Sequence, residues 1–555
     1  MANISQNVNI EMLEKLPDGT YKRKYPKTRA DDGTTFDEHL ADITNEEGRH
    51  GIRYWQEKLE IKVGLEWIEF KSGSQYPVGN VIGFSAKGDD KQVTLTWQDP
   101  AATTIDDSLG NPVSIAKWKG TKILRKTGSY PVNENDGVLV VDNGIRNQYA
   151  ESGFADTGLQ NDIEYFYMAF PYTEEDVYTV DEVNRISSIP TEIKIYGIEI
   201  DEANSNSDTA VTYTDNAIGF TPMRGNNGNF QWGSWQTIFN DIGIKPCLLK
   251  NGVVQYYLNP NDFTKKADGS NADITSGNDG DVMIEFPKIY WKINRVGTKL
   301  YVKYSTKQFE GSINSAHKIG SAEKDKIYLS AYMGNEISGK LRSLSGKSPT
   351  VNKTIRAFRT AAQANGAGYQ QTTYYALLML QVLYLVWFKN LNSQTALGRG
   401  YVDGNSASIN TGGTNTKGMF YGETSGKLQN KFCGIEDFRG NVFYWIDGLY
   451  SDSNRNIMIS RQNVFNDNGT GYSNHGVGAS ANIGGYINKV QGGNETGFII
   501  KEKDGSSSTY FADHGYLNAE RLPYFGGSWN DGDTAGAFWL RVYTSGFYWK
   551  LIIKI

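Results

Sequence analysis

Between residues 81 and 190 the chain runs in short stretches that alternate apolar and polar residues and break at turn formers. Val93-Thr94-Leu95-Thr96-Trp97 sets three apolar side chains on one side of an extended strand and two threonines on the other, and Pro100 ends it. Residues 121–126, 138–141 and 162–170 repeat the period-two pattern, and Tyr165 and Tyr167 share one face of the last run. A β-sandwich is predicted, with a long insertion at residues 101–119 between its second and third strands. Residues 1–75 read differently. An acidic stretch at 36–47 predicts a helix, and Leu59, Ile61 and Val63 alternate as a strand within residues 55–70. A turn-rich linker with Gly73, Pro77 and Gly79 follows.

From residue 198 the pattern becomes many short aromatic strands joined by Gly/Asn/Ser-rich loops such as 404–418 and 466–485. Two helices are predicted there. Ile355, Phe358 and Ala362 recur at helical spacing within residues 352–364, and residues 373–388 are apolar on every side apart from Gln381. The second is at the lower length limit for crossing a bilayer, and Gln381 at its middle predicts a buried helix instead. In Val442-Phe443-Tyr444-Trp445-Ile446 almost every position is bulky, which predicts a strand covered on both faces, reached through a left-handed turn at Gly440-Asn441. The fold class expected is multidomain and mainly β: an attachment or oligomerisation module at 1–75, a sandwich at 76–197, and an α+β domain at 198–555.

Composition narrows the function classes. Hydrophobic residues at 39% and charged residues at 21% allow packed cores and exclude a disordered chain. A net charge of −6 with interspersed signs leaves no basic face for a phosphate backbone, so no nucleic-acid partner is expected. Cys247 and Cys433 lie too far apart in sequence to suggest a zinc motif or a disulfide framework. The five histidines, His39, His50, His317, His475 and His514, have no metal-ligand spacing, and His475 and His514 are expected as exposed polar loop residues. The N-terminus carries no basic-then-apolar signal, so release by host lysis is expected rather than secretion. Neither a nucleophile elbow nor a phosphate-cradling loop occurs. Asp447 and Glu436 have the residue type of a carboxylate pair, but nothing in the sequence brings them together, and turn or capping roles are expected for them.

The sandwich region resembles a fibronectin type III domain, on the Val93-Thr94-Leu95-Thr96-Trp97 strand and on Gly158-Leu159 placed six residues before Tyr165, as in that family's tyrosine corner. Three pieces of the last region resemble the formylglycine-generating-enzyme type of C-type lectin fold. They are Leu385-Val386-Trp387-Phe388 with the following Asn392 to Gly400, the run from Gly440 to Gly448, and Gly526-Gly527-Ser528-Trp529 with Ala535-Gly536-Ala537-Phe538. That superfamily includes retroelement-diversified receptor-binding proteins of phages, whereas this sequence has Trp549-Lys550-Leu551-Ile552-Ile553-Lys554-Ile555 in place of the Gly-Phe-Arg-like strand of many relatives.

The resemblance implies a phage tail-fibre or tail-tip protein, made in the host cytoplasm and carried on the virion, that adsorbs to a bacterial surface glycan or protein; the reactive cysteine pair and the iron-binding histidine cluster of that superfamily's enzymes do not occur in this sequence, so no catalysis is expected. It further implies a homotrimer joined to other tail proteins by the N-terminal region, with no membrane insertion. The ligand-binding residues expected are Trp529, Asn530, Asp531, Asp533, Trp539, Arg541, Tyr543, Tyr548 and Trp549, with Trp539 and Trp549 open to a core role instead. No cofactor is expected. Calcium stays open, because Trp529-Asn530-Asp531 is similar to the calcium triplet of animal C-type lectins although its partner motif is absent. The alternatives are a tail-associated cell-wall hydrolase, whose two carboxylates leave no local signature, and a bacterial adhesin.

Overall fold

The computed structural model describes residues 76–555 except 107–111, 405–406, 463, 546–550 and 553–555, together with the backbone of five short strands between residues 12 and 70. Among the described residues the protein is mainly β, and its chain divides into two compact units at residues 192 and 193. In the first unit Ile52–Trp55, Lys58–Val63 and Glu66–Phe70 pair antiparallel, which puts the alternating Leu59, Ile61 and Val63 on a strand as their spacing predicts. The helix expected at residues 36–47 lies outside the described residues.

Residues 76–192 form two facing sheets. Ile82–Asp89, Gln92–Gln98 and Phe154–Thr157 make one; Trp118–Thr127, Val138–Asn143, Tyr165–Thr173 and Arg185–Ser188 make the other. Val93, Leu95 and Trp97 meet Ile123, Tyr165, Tyr167 and Ala169 between them, so the apolar parity read from the sequence is the core parity. The Tyr165 hydroxyl accepts from the Gln160 N–H at 3.1 Å, tying the turn after Gly158 to the strand. Within the insertion Thr103–Asp106 pairs antiparallel with Pro112–Ala116, so these two segments satisfy backbone groups on each other.

The second unit is organised around the helix Tyr374–Phe388, every residue of which is buried. Thr373 caps it by accepting from the Ala376 N–H, and Lys389 at φ 47° ends it. One side packs on the strands Tyr196–Asp201 and Lys299–Ser305; Tyr384 on another meets Phe538 beneath the C-terminal sheet, with ring centroids 5.8 Å apart. A helix covered all round needs no polar face, which is why this one is apolar throughout. Gln381 is reconciled with burial by donating to the Ala537 carbonyl at 2.8 Å. The shorter helix Ile355–Gln363 buries Ile355, Phe358, Ala361 and Ala362 in a second core with Phe443, Trp445, Leu522, Tyr524 and Trp539.

The C-terminal sheet has seven strands in the order Ile500–Lys503, Ile483–Val490, His514–Leu517, Leu540–Thr544, Leu522–Phe525, Phe443–Trp445, Leu551–Ile552. Tyr444 points into the larger core while Phe443 and Trp445 point into the smaller one, so this strand is covered on both faces as its composition predicts. Gly440 at φ 82° and Asn441 at φ 63° supply the expected left-handed approach.

Candidate functional site

Two neighbouring features carry the candidate residues: the turn at 528–534 and the outward face of the C-terminal sheet. The turn begins at Gly526 and Gly527, at φ 103° and 76°. A Cβ on Gly527 would lie 2.5 Å from that of Ala535, so only glycine lets the chain double back there. Asp531 Oδ2 accepts from the Ser528 N–H at 2.8 Å and its hydroxyl at 2.5 Å, and so holds its own turn. Asp533 accepts from Arg399 Nη1 at 2.6 Å, while the same guanidinium grips Asp403. Trp529 is half-buried against the main core, with its N–H on the Asn441 carbonyl at 3.0 Å and its carbonyl taking the Gly404 N–H at 2.7 Å. Asn530 is exposed. Gln394 Nε2 donates to the Gly532 and Ala535 carbonyls at 2.9 and 2.5 Å, fastening the turn to the domain.

Both carboxylates of the turn are therefore engaged by protein donors. Among the described residues no cluster of three or more His, Cys, Asp or Glu could hold a metal ion. Asp447 and Glu436 belong to separate networks: Asp447 is gripped by Arg359 and Gln371, and Glu436 accepts from the backbones of Gly412 and Thr414 and from Gln429.

The sheet face is built by strand parity. In His514–Leu517 and Leu540–Thr544, Gly515, Leu517, Leu540 and Val542 face the core, so His514, Tyr516, Arg541 and Tyr543 face outward. Register aligns them across strands: Tyr486 pairs with His514 and Tyr516 with Arg541. The result is a continuous row. Tyr486 and His514 meet edge to face at 4.1 Å, the Arg541 guanidinium lies 4.6 Å from the Tyr516 ring, and Tyr516 meets Tyr543 at 5.4 Å. Gly484 sits opposite Tyr516, where a Cβ would come within 2.2 Å of the ring; its bare backbone is the bed on which that ring lies. Burial, helped by Arg541, pushes the His514 imidazole down to about 4, so it is neutral near pH 7, and its Nδ1 has no hydrogen-bond partner. Arg541 Nε is likewise unpartnered. The face presents three phenol rings, one cation and a neutral imidazole on a rigid sheet, which suits stacking on sugar or aromatic faces and hydrogen bonding to hydroxyls or a carboxylate.

Trp539 corrects the expected list. It is fully buried, stacked on Phe443 at 4.8 Å and 15° and packed near Tyr524 at 5.5 Å, in the core that the helix Ile355–Gln363 covers. Its ring supports Arg541 from below at 4.1 Å and cannot act as a ligand plate. Asp531 holds its own turn and Asp533 pairs with Arg399 while its side chain stays exposed; Arg541 and Tyr543 have the outward placement expected of them. Tyr548 and Trp549 lie outside the described residues. His514 is a strand residue, not a loop residue, and His475 also lies in a strand, Ser473–Val477. Sequence reasoning missed Tyr486, His514 and Tyr516; the signal was the alternation in His514-Gly515-Tyr516-Leu517, short enough to be read as loop. Compared with known proteins, the chain matches no family model and no curated sequence.

Proposed function

We propose that the chain is a phage tail-fibre or tail-tip receptor-binding protein that adsorbs the virion to a bacterial surface glycan or protein, and that it does so by binding alone. The observation that carries this reading is the outward row Tyr486, His514, Tyr516, Arg541 and Tyr543, an adaptable aromatic and cationic surface on strands whose other side is fully packed. In this reading the C-terminal unit is the lectin-like tip. The sandwich is a fibronectin type III spacer, supported by the Tyr165 to Gln160 corner and the core parity of Trp97. Residues 1–75 join the other tail proteins, and three copies multiply weak sites into avidity.

The test is adsorption of the purified chain to wall fractions of candidate hosts. Saturable binding that Tyr516→Ala and Tyr543→Ala weaken supports the reading. Unchanged binding by both variants, or release of reducing sugars or peptides from the walls by the wild type, defeats it.

A further inference from the structure

Arg541, the cation of the outward row, has no acceptor among the described residues: it is half-buried and makes neither an ion pair nor a hydrogen bond with them. Every other described arginine that is buried or half-buried donates to a carboxylate or to a backbone carbonyl. What holds Arg541 is stacking. Its guanidinium carbon lies 4.1 Å from the centre of the buried Trp539 ring and 4.6 Å from that of Tyr516. Trp539 is itself fixed by Phe443, stacked on it at 4.8 Å. Nε is withdrawn from solvent, so the two Nη groups are the end left to a ligand.

A charge drawn partly out of water gives up hydration and is stabilised by a counter-charge. No carboxylate of the described chain supplies one. The surface acids whose fields reach the row act on its other members, Asp531 on His514 and Asp533 on Tyr486, and they accept from Ser528 and Arg399. His514 is neutral near pH 7, so the row carries its single positive charge at Arg541. The flanking rings already set the plane of the guanidinium fork, and little side-chain freedom remains to be lost when its parallel N–H groups meet an oxyanion.

The neighbour of this cation defines the rest of the ligand. Tyr543, 43% exposed and 5.4 Å from Tyr516, is the only exposed large hydrophobic residue described on the three strands of the row. A protein partner docks around a central apolar pocket, and this face has separate rings with no exposed aliphatic cluster. One open phenol ring beside one uncompensated cation suits a sugar ring that bears an acidic group.

We propose, resting on the receptor-binding reading of this face, that the row takes an anionic glycan, with the acidic group paired to the Nη groups of Arg541 and the adjoining sugar ring laid on Tyr543. One negative charge per repeat matches the single cation. A uronate carboxylate and a phosphodiester both present it.

The test is binding of the full chain to immobilised polygalacturonate, its carboxyl-reduced product, poly(glycerol phosphate) and dextran. At least one of the two anionic polymers binds, while the reduced product and dextran bind roughly tenfold more weakly. The preferred polymer tells uronate from phosphodiester. Arg541→Gln, melting as the wild type does, loses the preference for charge; Arg541→Lys, which keeps the charge without the fork, recovers part of it. Lys501→Gln, at an exposed cation on the edge strand Ile500–Lys503, changes nothing. No binding to either anionic polymer, equal binding to the reduced product, a preference kept by Arg541→Gln, or the same loss from Lys501→Gln overturns the proposal. Host walls keep the two readings apart. Adsorption that proteinase abolishes, and that survives carboxyl reduction and removal of phosphodiesters, overturns the anionic glycan alone. No adsorption to any wall, with polymer binding intact, defeats receptor binding alone.

Discussion

Arg359 donates from Nε and Nη2 to the two oxygens of Asp447 at 2.9 and 2.6 Å, joining the helix Ile355–Gln363 to the loop that follows the strand Phe443–Trp445. Both side chains are nearly excluded from solvent, at 9% and 1%. Gln371 and Asp467 complete the network. Arg359→Met leaves a buried carboxylate without its partner, and a loss of about 3–5 kcal/mol in urea unfolding is expected. Arg359→Met with Asp447→Leu removes both charges and recovers part of that loss. A double variant as unstable as the single one contradicts this account.

Trp539 and Tyr543 separate stability from binding. Trp539→Ala empties a filled layer between sheet and helix and costs about 3–5 kcal/mol. Tyr543 is 43% exposed, so Tyr543→Ala changes stability by no more than about 0.5 kcal/mol while lowering adsorption roughly tenfold. Trp529→Ala does both, because that ring is half-buried against the core. Unfolding curves and wall-binding isotherms on the three variants check the division.

Asp513 gives stability a definite pH slope. Burial pushes its carboxyl up to about 7, against the N–H of Phe538 and the field of Arg439, which act the other way. Between its unfolded value near 4 and about pH 7 the folded chain holds a proton that the unfolded chain releases, so this group's contribution falls as pH rises through that window. Asp513→Asn abolishes that slope, and the variant gains on the wild type by about 2–4 kcal/mol between pH 4 and pH 8. Equal slopes in urea melts of the two proteins contradict the assignment.

Chelation leaves the turn intact. Asp531 and Asp533 already accept from Ser528 and Arg399, so EDTA is expected to change neither the melting temperature nor wall adsorption. A fall in either measurement on chelation, restored by calcium, contradicts this.

Much of the architecture is legible in local pattern. The alternation of Val93, Leu95 and Trp97 marks their core face, and the all-round apolarity of residues 374–388 marks a helix buried on every side. Gly440 and Asn441 mark a left-handed turn. The candidate site is less legible because parity tells which residues share a side and not what covers that side. Trp539, Arg541 and Tyr543 lie on one side of the sheet; the helix Ile355–Gln363, far upstream in sequence, covers the first and leaves the last exposed. Likewise nothing local distinguishes His514 in its sheet row, or the buried His317, from a solvated loop histidine.

The two-sidedness of the strands His514–Leu517 and Leu540–Thr544 has an evolutionary corollary. Leu517, Leu540 and Val542 secure the domain from beneath, so Tyr516, Arg541 and Tyr543 can be exchanged one by one while the strands stay paired. On the receptor-binding reading proposed above, such a surface changes its target by point substitution without first acquiring a more robust scaffold.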